Sequence, residues 1–321
     1  MIPLLLALAL TQTTQPAQPA DPDLRVVSYN IENFRQNFEA YKLQREFKGE
    51  LPEKIKDLLS RERREDYEEN YEVAEVIKAL APDVLAIQES AAAEDLEYFN
   101  EEFLDGYFET VVQLPSNTTR EQHLTLMLRP GYEVLETVTL ADVEDVDDLN
   151  DREDSDGKLF ARGAGFVKLR TPGGDVLWLA NTHQKSKGGN NALVTQWRNR
   201  EASLTRDKAL ELDAQEDTLG VLIVGDLNDQ LGVQEFELEG GGDVIENMSR
   251  GLDLLTRELS EAGATSFKGY GTSRYPGMID HALATPRLTP LVADVALFDG
   301  SLTASASDHY PLVIDLDLPN D

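Results

Sequence analysis

Asp226 and Asn228 stand two residues apart, just after the run Val221-Leu222-Ile223-Val224-Gly225. Four consecutive apolar residues read as a strand buried on both faces, and the glycine ends it. Two-residue spacing in extended chain aims both side chains the same way. A carboxylate beside an amide suits a hard cation, the water on that cation, or a phosphate that the cation holds. The same pair suits an Asx-rich turn after a core strand equally well, so the surrounding residues decide. Polar residues recur at the ends of other strand-like runs: Asn30, Glu89, His183, Asp280, and Asp308 with His309. In layered α/β proteins, strand ends are where sites assemble. Of the 4 histidines, His183, His281 and His309 lie beside these acids or in a Gly- and Lys-rich loop. On a strand His281 points opposite to Asp280, which assigns it to structure rather than chemistry.

The elements that must position these residues follow from periodicity. Arg25–Ile31, Val84–Ile87, Tyr107–Leu114, Leu124–Leu128, Val134–Leu140, Gly163–Leu169, Val176–Asn181, Val221–Val224, Met278–Ala284, Leu291–Leu297 and a segment opening at Leu312 read as strands. Helical spacing runs from about Glu53 to Leu80, where Pro82 stops it, and again over Asp95–Leu104, Asn191–Asp213 and Asp253–Glu261. Strands and helices alternate without a repeat or a linker after Pro22, so residues 23–321 are expected to form one layered α/β domain.

The chain has 321 residues, no cysteine, and 60 acidic against 29 basic side chains, for a formal net charge of −31. Disulfides, thiolate metal sites and cysteine nucleophiles are therefore excluded. Such a chain repels polyanions at long range, so an anionic substrate needs a metal or a local basic patch. Ile2–Leu10 is apolar but too short to span a bilayer, and a Pro-rich polar segment follows it. Residues 1–22 are accordingly expected to be a secretory signal and linker, which implies a secreted or periplasmic protein. The acidic run Asp142–Gly157 fails the calcium-loop pattern. Counting back from Gly157 puts Arg152 at the first ligand position and Gly163 at the closing glutamate, so the run reads as a solvated loop.

Ser28-Tyr29-Asn30-Ile31-Glu32-Asn33, Gln88-Glu89, Asn181-Thr182-His183, Gly225-Asp226-Leu227-Asn228, Ile279-Asp280-His281 and Ser307-Asp308-His309-Tyr310-Pro311-Leu312 together resemble the endonuclease/exonuclease/phosphatase superfamily, in that family's order. The resemblance implies a DNase I-like four-layer sandwich, with two mainly antiparallel sheets packed together and helices outside. It implies a phosphoester hydrolase that uses Mg²⁺ or Mn²⁺, with Ca²⁺ as a further candidate. Asn30, Glu89 and Asp308 resemble the metal ligands. His309 resembles the base that polarises water, Asp280 its orienting partner, and Asp226 with Asn228 the groups that position water and stabilise phosphoryl charge. His183 resembles the second histidine, with Glu121 in the region of its carboxylate partner. Arg162, Lys185 and Lys187 resemble phosphate contacts, although Ala164 stands where many members carry a proline. The expected partner is a phosphoester, foremost nucleic acid, acted on by a monomer with no membrane span. Phosphomonoesters, inositol phosphates and sphingomyelin are the alternative substrates on this fold, and a non-enzymatic binding module is the alternative outside catalysis.

Overall fold

Alternation along the strands sets the layers. The computed structural model describes residues 22–32, 34, 65–118, 122–150, 156–189, 191–269 and 275–319. The expected leader, the start of the long Glu53 helix and Glu121 lie outside these residues. β1 (Leu24–Asn30), β2 (Val84–Ser90), β3 (Thr110–Leu114), β4 (His123–Leu128), β11 (Val292–Leu297) and β12 (Leu312–Leu316) form a six-stranded sheet, ordered β11-β12-β1-β2-β4-β3. β5 (Glu133–Thr139), β6 (Gly163–Arg170), β7 (Val176–His183), β8 (Val221–Asp226), β9 (Asp253–Leu254) and β10 (Asp280–Ala284) form a second, ordered β5-β6-β7-β8-β10-β9. The pairs β1–β2 and β7–β8 run parallel. The remaining pairs run antiparallel.

The two sheets pack face to face over Val26, Val84, Ala86, Leu126, Val167, Leu179, Leu222, Val224 and Ala282. The opposite parity faces outward under helices. Val27, Leu85, Ile87 and Met127 meet Val76, Ile77, Leu96 and Phe99 of α1 (Glu65–Leu80) and α2 (Ala93–Phe103). Phe166, Trp178, Val221 and Ile223 meet Trp197, Ala202 and Ala209 of α3 (Ala192–Asp213), together with Val244 and Ile245 of α4 (Val244–Met248). Four layers result, as expected from the sequence. Asn191 starts α3 by accepting a hydrogen bond from the Val194 amide at 2.9 Å.

Three local expectations change. Asp253–Glu261 is not one helix: Asp253 and Leu254 pair with β10, and α5 (Arg257–Glu261) follows. The strand after Tyr107 starts only at Thr110, because residues 104–109 form a turn around Gly106. The acidic run is partly closed, with Glu144 bridging Lys158 across its neck and Leu149 buried.

Gly225 is fixed by close approach. It pairs with Thr182 in the parallel β7–β8 ladder, its φ is +149°, and an added Cβ would lie 1.9 Å from the Thr182 carbonyl oxygen. His281 faces outward, opposite to Asp280. Its Nδ1 lies 2.8 Å from the Thr256 hydroxyl, and its Nε2 lies 3.0 and 3.1 Å from the carbonyls of Asp229 and Met278. Two carbonyls at Nε2 require a proton there, so Nδ1 accepts from Thr256 and the ring is neutral. Burial holds the His281 pKa below its usual value.

Gly225→Ala is expected to destabilise the fold by roughly 2–4 kcal/mol in denaturant titrations, through backbone displacement and strain. The His281 pKa is lowered on folding, so below pH 6.5 the unfolded chain takes up a proton that the folded chain refuses. That contribution to stability is present above pH 6.5 and is lost as pH falls. His281→Gln should therefore flatten the acid limb of a stability–pH curve by about one proton.

Candidate active site

The inward parity that builds the core continues past it into polar residues. Along β1 it runs Val26, Ser28, Asn30; along β2, Val84, Ala86, Gln88; along β7, Leu177, Leu179, Asn181, His183; along β8, Leu222, Val224, Asp226; and along β10 it ends at Asp280. All of these polar side chains are buried. Gln88 Nε2 donates to Asn181 Oδ1 at 2.7 Å, and Asn181 Nδ2 donates to the carbonyls of Ile87 and Thr125, so amides tie sheet to sheet. Above them Asn30 Nδ2 donates 3.0 Å across the sheets to Asp226 Oδ2.

This end of the sandwich opens into a cleft of about 220 Å³, lined by Glu32, Glu89, Gln122, Arg162, His183, Ser186, Asp226, Asn228, Ile279, Asp308 and His309. Glu32, Glu89 and Asn228 have φ of 50°, 59° and 51°. Left-handed backbone at three non-glycine residues lining one cleft is unusual and marks a functional site. At Glu89 the cause is visible: the β2–β4 register slips between Gln88 and Ser90, and this bulge presents Glu89 to the cleft.

One side of the cleft is acidic. Burial raises the Asp308 pKa to about 6; His309 opposes the rise, while Glu32, Glu89 and Asp226 add to it. Glu32 Oε2 accepts the Asp308 amide at 3.0 Å. The other side carries the histidines. His309 Nδ1 lies 2.8 Å from Asp280 Oδ2, which turns Nε2 toward Asp308 Oδ1 at 3.7 Å and Asp226 Oδ2 at 4.0 Å. Burial pulls the His309 pKa down, but Asp280, Asp226 and Asp308 outweigh it and bring the value to about 10. His183 Nε2 lies 3.3 Å from Asp226 Oδ2, and its Nδ1 has no hydrogen-bond partner among the described residues. Burial and the Arg162 charge lower the His183 pKa. Burial would raise the Asp226 pKa, yet His183, His309 and Arg162 hold it well below the usual carboxylate range.

The structure therefore brings Glu89, Arg162, His183, Asp226, Asn228, Asp308 and His309 to one cleft. Asp280 stands behind His309 and Asn30 behind Asp226. Lys185 and Lys187 do not line this cleft. Lys185 Nζ donates to the Ser186 carbonyl at 2.8 Å and sits 5.3 Å from the Trp197 ring centroid. Lys187 Nζ contacts Asp229 and lies 2.9 Å from Glu237. Buried carboxylates draw both cations of this ion cluster inward, Arg198 among them, although the sequence suggested a basic loop facing substrate. Glu32 is the functional residue that sequence reasoning left aside. Its signal was its place in the Asn30-Ile31-Glu32 segment, but only the left-handed turn brings it to the cleft.

A hard divalent cation fits the acidic side. Glu32, Glu89 and Asp308 supply oxygen donors, and the Asp308 pKa is raised by burial first, with Glu32, Glu89 and Asp226 adding to the rise and His309 opposing it. Among the described residues, Asp226, Asp280 and His309 are the group of acids and histidines whose ligand atoms lie within 4.8 Å of one another. There, however, Asp280 and His309 already satisfy each other by a hydrogen bond, which a cation between them would break.

A two-sheet sandwich with acids and histidines meeting at its strand ends defines a phosphoesterase-type hydrolase cleft. The chain belongs to the endonuclease/exonuclease/phosphatase family, whose model matches residues 27–309. Among solved structures, D. rerio TDP2 complexed with single-strand DNA product is 14% identical with a TM-score of 0.59, covering 92% of this chain and 99% of that one. A truncated Caenorhabditis elegans TDP2 is 16% identical with a TM-score of 0.58, covering 92% and 98%. The Bacteroides vulgatus endonuclease/exonuclease/phosphatase is 16% identical with a TM-score of 0.55, covering 92% and 99%. At these identities the likeness is one of fold. No curated protein matches the sequence. No helix among the described residues is long and apolar enough to cross a membrane.

Adding Mg²⁺ or Mn²⁺ is expected to raise the thermal midpoint, by about 2.7 kcal/mol of stability at one hundred times Kd, and Glu89→Gln should remove most of that gain. Without a cation, the raised Asp308 pKa works in the reverse sense to that of His281. The folded chain holds the proton up to about pH 6, so this carboxylate costs stability above pH 6 and relieves that cost as pH falls. Cation-induced stabilisation should therefore weaken below about pH 6, where protons compete for the site.

Proposed function

We propose that this protein is a divalent-cation-dependent phosphodiesterase of nuclease type, attacking a nucleic-acid phosphate with water. The observation that carries the reading is the His309–Asp280 pair, aimed by its geometry into the same cleft as the Glu32–Glu89–Asp308 carboxylates. When bound there, the cation supplies Lewis acidity and offsets negative charge on the phosphoryl oxygens. Glu32, Glu89 and Asp308 would hold it, with Asn30 steadying Glu32 by accepting its amide at 3.1 Å. Asp280 fixes the His309 tautomer and leaves Nε2 for proton transfer. Asp280, Asp226 and Asp308 together raise the His309 pKa, and offsetting the Asp226 and Asp308 charges brings it down toward that of a competent base. His183 is held neutral and donates its Nε2 proton toward Asp226, which places it to touch the phosphate or the leaving oxygen. Arg162 supplies positive charge. Asn228 donates one amide hydrogen to the Gln184 carbonyl at 3.1 Å and keeps the other for the cleft.

The nucleic-acid substrate is supported by the family and by the DNA-bound TDP2 neighbour. A small phosphomonoester is the second reading. Arg162 is the only arginine or lysine lining the cleft among the described residues, and Lys185, Lys187 and Arg198 are spent on internal contacts. The apolar Ile2–Leu10 run supports an exported enzyme.

The test is hydrolysis by purified protein, with Mg²⁺ or Mn²⁺, of plasmid DNA, single-stranded oligonucleotides, RNA and p-nitrophenyl phosphate. Strand cleavage well above ester hydrolysis is the expected result, and ester hydrolysis alone would favour the second reading. On the preferred substrate, His309→Ala and Asp226→Asn should each lower kcat by at least about 100-fold with the fold intact. Near-normal turnover in either variant would refute the assignment.

A further inference from the structure

α3 carries two charged residues on its buried face, Arg198 and Glu201, one turn apart. A helix packed on a sheet ordinarily turns apolar residues inward, and a buried charge is costly unless it is paired. Here the bonds of both residues converge on the loops that end three strands. Arg198 Nε donates to the Lys185 carbonyl at 3.0 Å, its Nη2 donates to the Asn228 carbonyl at 3.0 Å, and the same Nη2 forms an ion pair with Asp229 Oδ2 at 2.7 Å. Glu201 Oε1 accepts the Ala161 amide at 3.1 Å, and Oε2 accepts the Lys185 amide at 2.8 Å. Ala161 precedes Arg162, whose guanidinium in turn donates to the Gln184 carbonyl. The Asn228 side chain donates to that same carbonyl. A packing role alone would be served by apolar side chains; these contacts go instead to the backbone that carries Arg162 and Asn228.

We propose that Arg198 and Glu201 are positioning residues that set the separation of Arg162 from Asn228, and thereby how tightly the cleft grips a substrate phosphate. The inference rests on the phosphoester reading of the cleft. Glu201 clamps the Arg162 loop to the His183 loop, and Arg198 clamps the His183 loop to the Asn228 loop. The Lys187–Asp229–Glu237 contacts set opposite charges around Arg198. Neither residue touches the reacting atoms. Both act on binding more than on proton transfer.

The test is a double-mutant cycle on the full chain with Mg²⁺, reading kcat and KM for bis(p-nitrophenyl) phosphate and the Kd of inorganic phosphate by calorimetry. Glu201→Gln keeps shape but turns an N–H donor toward one of the two amides. It should raise KM and the phosphate Kd about tenfold with kcat changed less than about threefold, the size expected for loss of one hydrogen bond to an anion. In an Arg162→Ala background the same change should do almost nothing further, because the two act as one unit. Arg198→Lys keeps the charge but cannot span both carbonyls. It should raise KM alike, and it serves as the second variant if Glu201→Gln folds poorly. A lowered thermal midpoint with KM unchanged in both variants would overturn the proposal. So would equal KM effects of Glu201→Gln with and without Arg162. Unchanged phosphate binding in Arg162→Ala alone would overturn the phosphate-site reading, and this inference with it.

Discussion

The Asp226 carboxylate is the constraint on which the cleft depends. It ends a fully buried strand of one sheet and accepts a hydrogen bond from Asn30 at the end of a strand of the other, so it joins both halves of the sandwich. Its remaining oxygen accepts the Asn228 amide at 2.8 Å, which shapes the turn that follows. Two histidines lie within 3.3 and 4.0 Å of it, and they, with Arg162, hold its pKa low although burial would raise it. A buried anion with these partners fixes sheet spacing and also polarises the groups around it. Removing it would loosen the scaffold and change the histidines at once.

Beneath Asp226 the Gln88–Asn181 pair continues the same logic, since each amide satisfies a buried group of the opposite sheet. The result is a graded interior, apolar at the middle, amide-rich above, and charged at the mouth. The cleft sets its carboxylates beside its histidines. Left-handed backbone at Glu32 and Glu89 brings carboxylates to the mouth, His183 Nε2 lies 3.8 Å from Glu89 Oε1, and His309 Nε2 lies 3.7 Å from Asp308 Oδ1. A cation and a proton acceptor can then occupy adjacent places without sharing ligands.

Much of this was legible in the residues. The strands read at Val221–Val224, Val176–Asn181 and Arg25–Ile31 put Asp226, His183 and Asn30 at or just past strand ends, and the structure brings all three to one end of the sandwich. His281 followed from strand alternation against Asp280. The failures have a common cause. Lys185 and Lys187 look like substrate-facing cations in one dimension, but Asp229 and Glu237, which hold Lys187, and Trp197, which lies under Lys185, are distant in the local pattern and arrive only through tertiary packing. Glu32 was missed because a left-handed turn overrides alternation, and no residue type announced it. Asp253–Glu261 was misread because Leu254 completes a sheet edge while the next turn carries the helical spacing.

Anomalous scattering from Mn²⁺-soaked crystals locates the cation relative to the His309–Asp280 pair directly. The predicted result is one strong peak among the carboxylates of Glu32, Glu89 and Asp308, with the His309–Asp280 hydrogen bond intact. A peak lodged among Asp226, Asp280 and His309, with that bond broken, would contradict it.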